Sequence, residues 1–90
     1  MNIYVITFQM LTEERTARMV TLIKEQSSWA RITDTTWCVK TEISKSSEMR
    51  EWLANRVDIQ RGERLIIINI THSAWASYNL PKEVADWLKA

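Results

Sequence analysis

The sequence predicts an α+β fold: a four-stranded antiparallel sheet with two helices on one face and a short C-terminal helix. Three observations lead there. Asn2–Phe8 and Arg64–Ile70 are β-branched runs that are apolar at both parities, the pattern of central strands covered on two sides. Two intervening stretches carry apolar residues at helical spacing. A pair of short β-prone segments flanks the turn-forming Asp34-Thr35. Ninety residues suit a single domain with one core.

Asn2–Phe8 is the first strand, with Tyr4, Ile6 and Phe8 on one side and Ile3 and Val5 on the other. Thr12 reads as an N-cap, with Glu13 and Glu14 in the first turn where carboxylates suit the helix dipole. Thr16, Met19, Val20 and Ile23 share a face, so a helix is expected from Glu13 to about Gln26. Trp29–Thr33 and Thr36–Glu42 form a hairpin. Ser46 or Ser47 is the expected cap of the next helix, striped by Met49, Trp52, Leu53, Arg56 and Val57. Gly62 supplies a positive φ in the turn out. Arg64–Ile70 is the last strand, and Pro81 opens a C-terminal helix with Leu80, Val84, Trp87 and Leu88 on one face. The first six elements run strand, helix, strand, strand, helix, strand, the ferredoxin-like order.

Composition removes several function classes. Twelve basic residues against eleven acidic give a net charge of +1, so a strongly basic nucleic-acid wrapper is excluded and only a local patch remains open. One cysteine and one histidine allow neither an internal disulfide nor a Cys- or His-rich metal site. A single glycine excludes a Gly-rich phosphate loop. No apolar run approaches the ~20 residues of a membrane span, and Met1–Gln9 has no basic n-region or cleavage site. A reduced, cytoplasmic protein without membrane partners or cofactors is expected.

Two helices cover only one face of four strands. With Tyr4, Ile6, Phe8, Trp37, Val39, Ile66, Ile68 and Ile70 assigned to the helix side, the open face carries Ile3, Val5, Cys38, Leu65 and Ile67. Thr7, Gln9, Lys40 and Asn69 ring it. Such an apolar patch calls for a cover. The C-terminal helix is one candidate and a second copy, packed through a two-fold interface, is another. The expected dimer interface is therefore Ile3, Val5, Thr7, Cys38, Leu65, Ile67 and Asn69.

Three stretches carry a family resemblance. They are Ser28-Trp29 with Asp34-Thr35-Thr36-Trp37 and Val39-Lys40-Thr41, then the Arg64–Thr71 strand with Ser73-Ala74-Trp75, and last Glu83-Val84 with Trp87-Leu88-Lys89. In order and spacing the chain resembles the Cas-two-like, SinR-like proteins, relatives of the small subunit of CRISPR adaptation complexes. The resemblance implies a ferredoxin-like fold and dimerisation through the open sheet face. It also implies an acidic residue at the end of the first strand, where a carboxylate from each protomer holds Mg²⁺ or Mn²⁺. Gln9 stands in that place here, after Phe8. A neutral amide offsets no metal charge, so no metal site is expected.

The favoured reading is a non-catalytic homodimeric binding or scaffold module whose partner is nucleic acid or another protein. The alternative is a small ribonuclease or toxin-like nuclease of the same fold, with His72 as its candidate base beside Ser73 or Tyr78. A small-ligand sensor ranks third, having no ligand-specific pattern. Arg31, Lys40, Arg61 and Arg64 are candidate phosphate contacts, and Arg15 and Arg18, one turn apart on the first helix, form a second pair. Each also has a plainer reading: Glu14 is spaced to pair with Arg18, and Asp34 is first a turn former. Trp75 is a candidate dock for the tail on a partner subunit, and Cys38 a small buried apolar residue.

Overall fold

Asn2–Gln9 (β1) has a neighbouring strand on each edge, with Tyr4, Ile6 and Phe8 buried on one face and Ile3 and Val5 half-buried on the other. The computed structural model describes all residues from Met1 to Ala90. After β1 come α1 (Glu13–Ile23), β2 (Ser28–Thr33), β3 (Thr36–Thr41), α2 (Ser46–Val57), β4 (Arg64–Asn69) and α3 (Lys82–Lys89). The sheet order is β2-β3-β1-β4, with every pair antiparallel. β1 is thus central, and β2 and β4 are edges.

Thr12 caps α1 as its sequence predicts, its side chain accepting from the Arg15 N–H at 3.1 Å. The helix stops at Ile23, short of Gln26. The serine cap of α2 is not formed: Lys45 holds the cap position with no side-chain hydrogen bond, and Ser46 is already helical. α2 ends on Asp58 in the left-handed region, and Gly62 at φ +93 turns the chain into β4. Pro81 sits at the cap of α3 rather than inside its first turn. The hairpin turn is tied down twice. The Trp37 indole donates to the Asp34 carbonyl at 3.1 Å, and the Phe8 N–H donates to the Thr35 carbonyl at 3.1 Å.

The core lies between the sheet and the two long helices. Tyr4, Ile6, Phe8, Trp37 and Val39 meet Met19, Leu22 and Ile23 of α1 and Met49, Leu53 and Val57 of α2. The Tyr4 hydroxyl is satisfied by the Ile43 carbonyl at 2.8 Å, so a phenol can sit in this core without stranding a donor.

One strand departs from the expected facing. Leu65 is opposite Phe8, Ile67 opposite Ile6 and Asn69 opposite Tyr4. Directly paired residues share a face, so Leu65, Ile67 and Asn69 point to the helix side, and Leu65 and Ile67 pack on the core. Ile66 and Ile68, expected in the core, point the other way and are 55% and 49% exposed. The reason is that an all-apolar strand carries no face label of its own; register with β1 decides it.

Candidate interaction surface on the open sheet face

The side of the sheet away from α1 and α2 is read directly from the register. One row runs Ala30, Cys38, Val5, Ile68 across the four strands. The next holds Thr36, Thr7 and Ile66, and the last Gln9 and Arg64. Exposure rises along the first row, from Ala30 and Cys38 buried to Ile68 half exposed. The cause is α3, which packs on β2. Its Trp87 indole donates to the Ser28 hydroxyl at 2.6 Å. The Lys40 ammonium donates to the Trp87 carbonyl at 3.0 Å and sits 4.4 Å from the centre of its ring. Val84 is the buried residue of the helix. α3 therefore closes the β2–β3 half of the face and leaves Val5, Thr7, Ile66 and Ile68 of the β1–β4 half without it.

This revises the expected interface. Ile3, Val5 and Thr7 are on the open face. Cys38 is also there but buried, and burial pushes its thiol up to about 11, so it is an unreactive apolar residue at neutral pH. Leu65, Ile67 and Asn69 leave the set, and Ile66 and Ile68 enter it.

The six candidate phosphate contacts do not form one patch. Arg15 is consumed by Glu63: Nε lies 2.7 Å from Oε2 and Nη2 2.8 Å from Oε1, and the same Nη2 donates to the carbonyls of Val57 and Asp58. The Glu63 side chain is wholly removed from solvent. Arg18 donates to the Arg56 carbonyl at 2.8 Å and makes no ion pair with Glu14. Both arginines thus satisfy the C-terminal carbonyls of α2, where cations suit the helix dipole. Arg31 pairs with Asp34 and stands opposite Trp37, on the helix side of the sheet. Lys40 is engaged by α3 on the opposite side. Arg61 and Arg64 are exposed and make no side-chain hydrogen bond or ion pair within the chain.

His72 lies past β4 with φ 63, exposed and without a side-chain hydrogen bond. It lines a cavity of about 510 Å³ with Ile3, Lys40, Trp75 and Leu88. Neither Ser73 nor Tyr78 bonds to its ring; Tyr78 is almost fully exposed. Trp75, 41% exposed, lines the same cavity as the end of α3. No three His, Cys, Asp or Glu side chains converge on one point, and no helix is long and apolar enough to cross a membrane.

Sequence reasoning missed Glu63 as the partner of Arg15, Ser28 as the anchor of Trp87, and Ile66 and Ile68 as surface residues. Only the last left a trace, since an apolar run continuous in both parities admits either facing.

No family model and no curated protein matches this chain.

Proposed function

We propose that the chain is a ferredoxin-like, Cas-two-like binding or scaffold module that works as a homodimer and has no catalytic role of its own. The β-α-β-β-α-β order and the antiparallel sheet support the fold name. The observation that carries the reading is the half-open sheet: Ile66 and Ile68 stand about half exposed beside Val5 and outside the reach of α3. A second copy brought face to face would remove this apolar surface from water at ~25 cal/mol per Å². Gln9 supports the non-catalytic part. It stands directly opposite Arg64 in the strand register, and a neutral amide beside a cationic residue offers no charge to hold the divalent cation that the resemblance would place there.

The further partner is nucleic acid or another protein. With Arg15, Arg18, Arg31 and Lys40 engaged internally, only Arg61 and Arg64 of the six candidates remain free for phosphate, so the contribution of this set to a nucleic-acid complex would show a shallow salt dependence.

Sedimentation equilibrium tests the dimer. The wild type is expected at twice its 10.6 kDa chain mass at micromolar concentration. The Ile66→Lys, Ile68→Lys double variant is expected to sediment as a monomer, its dissociation constant raised by roughly 100-fold or more, because like charges would face each other across the two-fold axis. A wild type that stays monomeric at the highest soluble concentration overturns the reading.

A further inference from the structure

The two edges of the sheet are unlike. β2 carries a bulge between Arg31 and Thr33 and has α3 packed on it, and a bulge is one of the devices that blunt an edge strand. β4 has no such device: Arg64–Asn69 keeps an unbroken register with β1 and contains no proline or glycine. Backbone phase shows which groups it leaves over. The Phe8 N–H donates to the Thr35 carbonyl on the β3 side, and the Ile70 N–H donates to the Ile3 carbonyl at 2.8 Å on the β4 side. Even-numbered residues of β1 therefore bond toward β3 and odd-numbered ones toward β4. Ile66 and Ile68, opposite Thr7 and Val5, spend their backbone groups on β1. Leu65, Ile67 and Asn69 turn their N–H and C=O groups to the free edge, where no group of the chain meets them.

A groove of about 400 Å³ runs along that edge, lined by Ser46, Ser47 and Arg50 of α2 and by Leu65, Ile66 and Ile67 of β4. Successive strand residues face opposite sides, so a consecutive run lines one depression along the strand's edge. Arg50 is the one charged residue in the lining. Its Nε is held by Glu51 at 2.9 Å, and its Nη groups have no acceptor within the chain. Unpaired backbone groups beside a cationic groove match an extended peptide, which brings its own ladder of donors and acceptors. We propose that β4 takes up an extended acidic segment of a protein partner as a fifth strand, antiparallel to it. Residues of the segment that bond to Leu65, Ile67 and Asn69 share their helix-side facing, so they meet Arg50 and are carboxylates. The alternate residues lie beside Ile66 and Ile68 and are apolar. A second copy is the poorer occupant, because a two-fold axis along this edge sets Arg50 toward its own counterpart. The proposal rests on the reading of the chain as a binding module and makes its partner a protein. Two copies stacked face to face cover the plane of the sheet and leave this edge open.

The test is amide hydrogen exchange of the full chain, followed residue by residue by NMR, with a short synthetic peptide alternating valine and glutamate as the probe. Saturating peptide is expected to slow exchange at Leu65, Ile67 and Asn69 by roughly tenfold or more and to leave Ile66 and Ile68, already bonded to β1, within about twofold. N-methylation of the glutamate amides is expected to abolish this protection, and N-methylation of the valine amides to spare it. A valine–lysine peptide is expected to bind at least roughly tenfold more weakly, and Arg50→Glu to reverse that order. No protection at millimolar peptide, equal binding of the two peptides, or protection that survives glutamate N-methylation would each overturn the proposal. Protection of Leu65 and Ile67 that rises with protein concentration alone would give the edge to a second copy and overturn it too. Sedimentation decides the dimer separately, while exchange reads the edge in whichever species is present.

Discussion

Glu63→Gln is expected to lower the melting temperature by roughly 10 °C at pH 7, the largest effect of any single polar substitution in this chain. The carboxylate is out of solvent and accepts four times: twice from Arg15, and once each from the backbone N–H of Leu11 and Gln60. It joins the start of α1 to the turn that leads into β4. A glutamine keeps one oxygen for one amide and loses the charge. Its second terminal atom then carries N–H groups aimed at other donors, which no rotamer avoids.

The acid limb of the stability curve checks the same contact. The hydrogen bonds from Arg15, ahead of those from the Gln60 and Leu11 amides, hold the Glu63 carboxyl at about 2, below its ordinary 4.5. A depressed carboxyl stabilises the fold above its unfolded value and loses that contribution as pH falls through the folded one. The gap between wild type and Glu63→Gln should therefore be full above pH 4.5 and close toward pH 2. Arg15→Met makes a complementary case. It leaves the carboxylate buried without its cation, so acid should relieve that variant while it weakens the wild type. A gap that stays constant with pH would remove Glu63 from this role.

Trp87→Ala is expected to speed alkylation of Cys38 at least tenfold in native buffer. Cys38 is the chain's single thiol, 1% exposed, on the sheet face that α3 closes. The helix is held by few contacts: the Trp87–Ser28 hydrogen bond, the Lys40 ammonium on the Trp87 carbonyl and ring, and the buried Val84. Truncating the tryptophan removes the first of these and the ring from the second. A loss of about 1.4 kcal/mol in local closing free energy corresponds to tenfold in labelling. Met49→Ala is the control, because it opens a cavity in the core on the other side of the sheet and weakens the whole fold by ~2–5 kcal/mol. If labelling passes through α3, Trp87→Ala labels faster than Met49→Ala even though it melts higher. If it passes through global unfolding, the order reverses and α3 does not guard the thiol.

Elements were legible wherever a local rule had only one reading. Thr12 followed by two glutamates marks the start of α1, and Met49, Leu53 and Val57 mark the buried stripe of α2. Gly62, the one glycine of the chain, lies at the positive φ its turn needs. The alternation of Trp37 and Val39 against Cys38 and Lys40 places β3 the right way round. Less of the candidate site could be read. Arg15, Arg18, Arg31 and Lys40 look alike in a sequence, as surface cations free for phosphate. Their partners are 48, 38, 3 and 47 residues away, and only the nearest, Asp34, lies within the span of local patterning.

The order of strands and helices, the hairpin and most of the core follow from residue spacing over a few neighbouring positions. The facing of β4 and the set of free charges come from long-range packing. Leu65 to Ile68 are apolar at every position, so burial energy is nearly indifferent to a half-turn of the strand. Antiparallel pairing with β1, Phe8 against Leu65, breaks that tie. The same packing brings Glu63 to Arg15 and α3 to Lys40, and so leaves Arg64 beside Gln9 as the unengaged cation at the end of the open face.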